Sequence, residues 1–358
     1  MQLSPPLAWL IDEAATVAGP DRFLSALGAL LIAEGLPLAG GTLTLSAPHP
    51  IIARRIWLWR TDNGAVIEAL GFASMSLAAP EPVTVGRDWL AGLGPEAIRE
   101  DVAGTSSDGP VLGWALARPL SDDQSALLGA VARFAAAPLA VLAMNATLSA
   151  LLETYLGRRS AAQVLAGRLR REPGETIRAA LLYADLRGFT ELSERAEPDA
   201  VVAALGAWFD RIAGAVHAFG GEVLKFIGDG VLVIFPVGGN PPSVACDGAL
   251  SAVAAARAGM AHLDETRARQ GLPPLPFGMA LHLGDILWGN IGTADRLDFT
   301  AIGRAVNLVS RLEGLCKPLQ RNVLISGAFA AEATDPLLSL GAHALRGIEE
   351  PCEIFTLP

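Results

Sequence analysis

Residues 225–235 read KFIGDGVLVIF, and with the preceding EVL they set two apolar, β-branched runs around Gly228-Asp229-Gly230. That composition predicts two strands, EVLKFI and VLVIF, joined by a tight turn. Taken alone, the stretch is an ordinary hairpin with a lysine in solvent, since glycine-flanked aspartates are common turn residues. The lysine asks for more. The chain has two lysines, Lys225 and Lys317, and its other 25 basic residues are arginines. A compact ammonium and a planar guanidinium are not interchangeable, so a lysine four residues before an aspartate needs a reason.

Upstream of the hairpin, TIRAALLYADL reads as a buried strand ending near Asp185. Between them PDAVVAALGAWFDRIAGAVHAFGG predicts a helix with Pro198 near its start. Val201, Leu205, Trp208, Ile212, Val216 and Phe219 line one face, and Gly220-Gly221 stop it. Downstream come an Ala-rich helix over about 242–269, strands FGMALHLG and DILWGNIG, and a short strand around LDFT. A helix GRAVNLVSRLEGLC, a strand NVLIS and a closing strand pair near HALRG and EIFTL complete the chain. The order strand-helix-helix-strand-strand-helix-strand predicts a ferredoxin-like α/β sandwich with extensions.

The first 140 residues follow a different order. LAWLIDEAATVAG and RFLSALGALLIAEG read as helices ended by glycine. GGTLTLSAP, ARRIWLWRTDNGAVIEALGF and GPVLGWALARPL read as strands, with Asp-Asn-Gly marking a hairpin. Residues 75–108, rich in Pro, Gly and Ser, read as loops, and LSDDQSALLGAVARFAA as a helix with a serine N-cap and acidic first turn. In the connector that follows, Val141, Asn145, Leu148, Leu152 and Tyr155 are spaced 4-3-4-3. This suits either a short coiled-coil seam or one face of an ordinary amphipathic helix. REPGE, 171–175, marks the boundary to the second half.

Composition limits the classes of function. At 358 residues, with 51% apolar and 18% charged residues, the chain is long enough for two or three folded domains. A net charge of −10 without a basic run argues against a nucleic-acid surface. ALLGAVARFAAAPLAVLAM, 126–144, carries Arg133 and Pro138 and reads as a soluble helix pair, so no membrane span is expected. The N-terminus lacks the basic region of a signal peptide. Cys246, Cys316 and Cys352 lack metal-type spacing and read as free thiols of a reducing compartment, so a cytoplasmic location is expected.

The chemistry gathers in the second half. Asp185 ends a buried strand, and Asp229 sits in a turn between two strands able to lie beside it. Two carboxylates at one sheet edge can hold Mg²⁺, which prefers one or two carboxylates plus substrate phosphates. The helix start after Asp185, LRGFT, offers backbone N–H groups to a phosphate. Neither lysine follows the glycine-rich loop of a Walker motif.

In order along the chain, ALLYADLRGFTELSE, GGEVLKFIGDGVLVIF, GMALHLGDILWGNIG, RLDFTAIGRAVNLVSRLEGLCK and LRGIEEP together resemble the catalytic domain of the class III adenylate/guanylate cyclases. The resemblance spans about 176–358. It implies cyclisation of a nucleoside triphosphate with release of pyrophosphate, using two metal ions per active site (Mg²⁺ or Mn²⁺) at a head-to-tail homodimer interface. Carried over, Asp185 and Asp229 match the metal-binding aspartates, with the Leu186 carbonyl as a further ligand. Gly188, Phe189 and Thr190 would receive substrate phosphate, and Lys225 and Asp298 match the base-selecting pair. Asn307 and Arg311 match the ribose-orienting asparagine and the transition-state arginine. Four residues apart, these last two share a helix face.

Adenine presents an acceptor at N1 and a donor at N6, so a lysine and an aspartate suit it, whereas guanine reverses the pattern. The resemblance therefore implies an adenylate cyclase acting on ATP. The alternatives are a catalytically idle nucleotide-sensing or dimerisation module and, less in keeping with Lys225 and Asp298, a guanylate cyclase. Arg304 departs from the family, which usually has an acid after IG. His282 reads as a packed strand histidine rather than a base. ALARPLSDDQSALLGAVARFAAAPLAVL resembles the last strand and helix of GAF domains. The expected organisation is thus a GAF-like regulatory domain over 1–140, receiving a small-molecule or protein signal, a helical linker over 141–175, and the cyclase domain over 176–358.

Overall fold

The computed structural model describes residues 3–46, 52–72, 85–104, 109–168, 170, 174–293 and 296–358. The chain divides into two units, Met1–Tyr155 and Leu156–Pro358. In the first, prolines open both α1 (Pro5–Asp12) and α2 (Pro20–Ala33), where a missing N–H costs nothing. Strands β1 (Leu38–Ser46), β2 (Ile52–Arg60) and β3 (Val66–Phe72) follow, then α3 (Val85–Gly92), β4 (Ala97–Val102) and β5 (Val111–Leu116). They form an antiparallel sheet in the order β3-β2-β1-β5-β4. Phe23, Leu24, Leu27 and Leu31 of α2 pack on Trp57, Trp59 and Trp114, and Gly28 lies so close to the Trp59 ring that a methyl group would collide.

The loop reading of 75–108 is corrected over its described residues. α3 and β4 form there because Leu90 is buried and β4 pairs along its whole length with β5. These tertiary contacts outweigh a turn-rich composition. Residues 75–84 and 105–108 lie outside the described residues.

α4 (Asp122–Phe134) opens on a capping box between Ser121 and Gln124, and α5 (Ala136–Leu156) follows it. α5 runs unbroken through residue 141, rooted by Leu139 and Leu142 in the first unit's core. The expected linker, 141–175, is therefore divided between the two units, and α6 (Arg158–Leu165) belongs to the second. Of the boundary REPGE, 171–173 lie outside the described residues.

The second unit begins with β6 (Glu175–Leu186), α7 (Phe189–Arg195), α8 (Pro198–Ala218), β7 (Glu222–Ile227), β8 (Gly230–Pro236), α9 (Pro242–Arg269) and β9 (Phe277–Gly292). β10 (Leu297–Ile302), α10 (Arg304–Glu313), β11 (Val323–Ser326), α11 (Gly327–Ala330), β12 (Leu338–His343) and β13 (Cys352–Thr356) complete it. The sheet order is β12-β13-β11-β9-β6-β8-β7, with β10 paired to β9. Its central four, β9-β6-β8-β7, are antiparallel throughout, in the ferredoxin-like arrangement that the element order predicted. Ala180, Leu182 and Ala184 of β6 face α8 and α9, while Ala179 and Leu181 face α10 and β10. Helices on both faces explain why β6 reads as an uninterrupted apolar run.

Two boundaries are corrected here. FGMALHLG and DILWGNIG are one strand, β9. Gly284 within it is no break but the point where α10 comes close, since a Cβ there would sit 2.8 Å from that of Ala305. The first closing strand is Leu338–His343, just upstream of the HALRG expectation, because Leu345 turns into the core instead. By length and composition α5 and α8 could each cross a membrane. α8 packs Trp208, Ile212 and Val216 into the second unit's core.

Candidate active site

β6 delivers Asp185 to the sheet edge as its next-to-last residue, half-buried. Beside it, β7 and β8 are joined by the two-residue turn Gly228-Asp229, in which Gly228 has φ 63°. That left-handed first position is the one a II′ hairpin assigns to glycine. The turn is anchored from below, because the buried Trp208 Nε1–H donates to the Asp229 carbonyl at 3.0 Å. Across the sheet, a side chain at Gly230 would meet Tyr183 Oη and, at 3.0 Å, Asp185 Oδ1. The missing side chain makes room for both.

On its other flank Asp185 pairs with Gly278 of β9. The space above that glycine is taken by the Glu313 carboxylate, which a Cβ at 278 would strike. Negative charge thus converges on one corner. Burial, and then the charge of Asp229, push Asp185 up to about 6. Burial, and then Asp185, push Glu313 up to about 7, with Arg187 partly opposing. Burial and Asp185 push Tyr183 up to about 12. Crowded carboxylates of this kind suit a divalent cation, which relieves the repulsion raising their pKa values. Among the described residues no cluster of three or more His, Cys, Asp and Glu side chains is poised around a common metal position. The donors this corner does offer, the Asp185 and Asp229 carboxylates, are hard oxygen ligands of the kind divalent cations such as Mg²⁺ take.

Past Leu186 the chain turns at Gly188, φ 75°, into α7, whose start carries no side-chain cap. Phe189 and Thr190 open its first turn, where N–H groups have no intrahelical acceptor. The backbone leading there is pinned by Arg187 N–H donating to the Pro276 carbonyl at 2.7 Å, and by Arg187 Nη2 donating to the Arg321 carbonyl at 2.6 Å.

Lys225 and Asp298, 73 residues apart, meet: Lys225 Nζ donates to Asp298 Oδ2. A register shift between Val223 and Lys225 places a bulge at Leu224, a device that re-aims the next side chain. Asp298 comes from β10, where it pairs with Ile291.

Asn307 and Arg311 lie one turn apart and exposed on α10. Arg311 Nη1 donates to the Gly347 carbonyl at 3.1 Å, tying α10 to LRGIEEP. Among the described residues no hydrogen bond or ion pair links Lys225, Asp298, Asn307 or Arg311 to Asp185 or Asp229. Arg304 stands exposed at the first position of α10. His282 is buried, with Nδ1 2.8 Å from Ser326 Oγ, and burial lowers its pKa to about 4. That is the environment of a packed histidine.

Sequence reasoning missed Glu313, Tyr183 and the anchoring role of Trp208. Glu313 follows Arg311 by two residues, and the glycine in FGM that makes room for it was legible, but pairing the two required the packing of α10 on β9.

Residues 172–332 match the family model described as Adenylate and Guanylate cyclase catalytic domain. The adenylate cyclase of Anabaena cylindrica is 32% identical over 165 residues, covering 45% of this chain and 32% of that protein. Adenylate cyclase 1 of Rhizobium meliloti is 34% identical over 179 residues, covering 49% and 26%. The chain thus spans about a third or less of these relatives' length. Among solved structures, a bacterial light-regulated adenylyl cyclase overlays with a TM-score of 0.53 at 19% identity, covering 76% of this chain and 89% of that one, a likeness of fold.

Proposed function

Because residues 172–332 match the family model described as Adenylate and Guanylate cyclase catalytic domain, we propose that this protein is an adenylate cyclase, converting ATP to 3′,5′-cyclic AMP and pyrophosphate. The observation that carries the choice of ATP is the meeting of Lys225 with Asp298 across 73 residues. An ammonium beside a carboxylate offers one donor and one acceptor, matching adenine N1 and N6. Guanine on that edge would set donor against donor and leave polar groups unpaired, the kind of mismatch that discriminates strongly.

In this reading Asp185 and Asp229, with the Leu186 carbonyl, hold two divalent cations. When bound, these acidify the ribose 3′-hydroxyl and neutralise the triphosphate. Gly188, Phe189 and Thr190 direct backbone N–H groups at phosphate oxygens. Asn307 fixes the ribose, and Arg311, released from Gly347, answers charge growing on the α-phosphoryl oxygens. The match to the cyclase family supports a site shared between two chains of a homodimer, one supplying the carboxylate corner and the other the remaining four residues. Residues 1–140 would regulate that pairing in response to a small-molecule or protein signal. Three free cysteines suit a cytoplasmic setting.

The test is production of cyclic nucleotide by purified protein given ATP or GTP with Mg²⁺ or Mn²⁺. Cyclic AMP from ATP, with far less product from GTP, is expected, and no product from either identifies an idle module. Lys225→Glu combined with Asp298→Cys should depress ATP use far more than GTP use. An unchanged preference in an active double variant would refute base reading by this pair.

A further inference from the structure

Away from the carboxylate corner, α6 and the head of β7 enclose a cavity of about 250 Å³. Gly157, Arg158, Arg159 and Ser160, at the start of α6, line one side, and His217 and Glu222 line the other. All six belong to the second unit. Gly157 precedes the helix without offering a side-chain cap. The first-turn N–H groups of Arg158, Arg159 and Ser160 therefore have no intrahelical acceptor, and the positive end of the helix dipole faces the same place.

A second observation points independently to a ligand. Ser160 is only 3% exposed and lines the cavity, yet among the described residues its hydroxyl has no hydrogen-bond partner. The hydroxyl is not among the fully enclosed unpaired side-chain atoms, so in a residue this buried it opens on the cavity, where an acceptor can take its hydrogen. The charges lining the cavity favour an anion as that partner. Arg159 Nε donates to Glu222 Oε2 at 2.9 Å and its guanidinium lies over the Trp288 ring, so the carboxylate is already neutralised. Arg158 is exposed and, among the described residues, in no ion pair. A free guanidinium, an unpaired hydroxyl and uncapped N–H groups face one cavity in a chain whose net charge is −10.

We infer that this cavity binds a phosphate dianion, free or as the head of a small monoester. Ser160 donates its hydroxyl hydrogen and the helix start its N–H groups, while Arg158 supplies charge-assisted hydrogen bonds. The site uses none of the residues assigned to cyclase chemistry, so it stands or falls apart from that reading.

Isothermal titration of the full chain in EDTA, at constant ionic strength, tests it with inorganic phosphate and, separately, glycerol 3-phosphate. Saturable one-to-one binding of at least one is expected. Arg158→Glu and Ser160→Ala should each weaken it about tenfold, the loss of a hydrogen bond to a charged group. Arg311→Ala, which reports on binding at the proposed catalytic residues, should leave it unchanged. Arg158 is exposed and Ser160→Ala removes one atom, so unchanged thermal unfolding should show both variants folded. Absence of saturable binding by either probe overturns the proposal. So does equal affinity across wild type, Arg158→Glu and Ser160→Ala, or a loss confined to Arg311→Ala.

Discussion

Asp185 and Asp229 bring negative charge to a half-buried corner that already holds Glu313, so truncating either aspartate removes charge rather than core. Asp185→Ala and Asp229→Ala should each cut cyclase turnover more than tenfold, about 1.4 kcal/mol of barrier, with far-ultraviolet dichroism unchanged. Retention of more than a tenth of wild-type turnover in a folded variant would remove that residue from the metal site. His282 makes a prediction about stability. It titrates near 6.5 when unfolded and about 4 when folded, because burial disfavours its charged form. The folded value is depressed, so its contribution is intact above about pH 6.5 and is lost as pH falls through about 4. The loss approaches ~3 kcal/mol. Urea unfolding of His282→Gln should accordingly weaken less than wild type between pH 7 and 4.5; parallel profiles would dismiss this account.

At the scale of the element, α5 keeps the two sequence readings of its 4-3-4-3 spacing apart. Leu139 and Leu142 pack into the first unit, whereas Val141, Asn145, Leu148 and Tyr155 are exposed and Leu152 is half-buried. The spaced face is therefore not the packed one, which leaves it available as a seam with a second α5. Burying a leucine stabilises by about 1.5–3 kcal/mol. Leu148→Lys should accordingly weaken self-association by at least about tenfold in sedimentation equilibrium, without lowering the melting temperature of dilute protein. Unchanged association would mean that α5 does not pair. Fitness for the seam was visible in the spacing. That the described residues of the first unit leave the face uncovered was not, because burial depends on where α4 and the first sheet lie.

For the whole molecule, the two residue groups yield a complementation test. In a mixed dimer of Asp185→Ala and Arg311→Ala chains, one shared site collects both defects and the other none. Random pairing makes half the dimers mixed, each with one good site of two, so roughly a quarter of wild-type activity should return in a closed twofold dimer. If labelled chains exchange and the mixture stays inactive, the groups do not act across chains.

The sequence by itself determined the hairpin around Gly228-Asp229, the strands and helices of the second unit, and the residue types gathered at its site. All of these are written in local spacing: periods near 2 and 3.6, and turn residues with their own backbone preferences. Only the tertiary structure decided that Lys225 meets Asp298, that a bulge at Leu224 precedes the lysine, and that Glu313 fills the space above Gly278 beside Asp185. It also made β9 one strand and drew α3 and β4 out of a loop-like composition. The physical reason is common to these cases. Local sequence sets each segment's conformation, but what occupies the gap beside a glycine, and which strand lies next to which, follow from packing between residues distant in the chain.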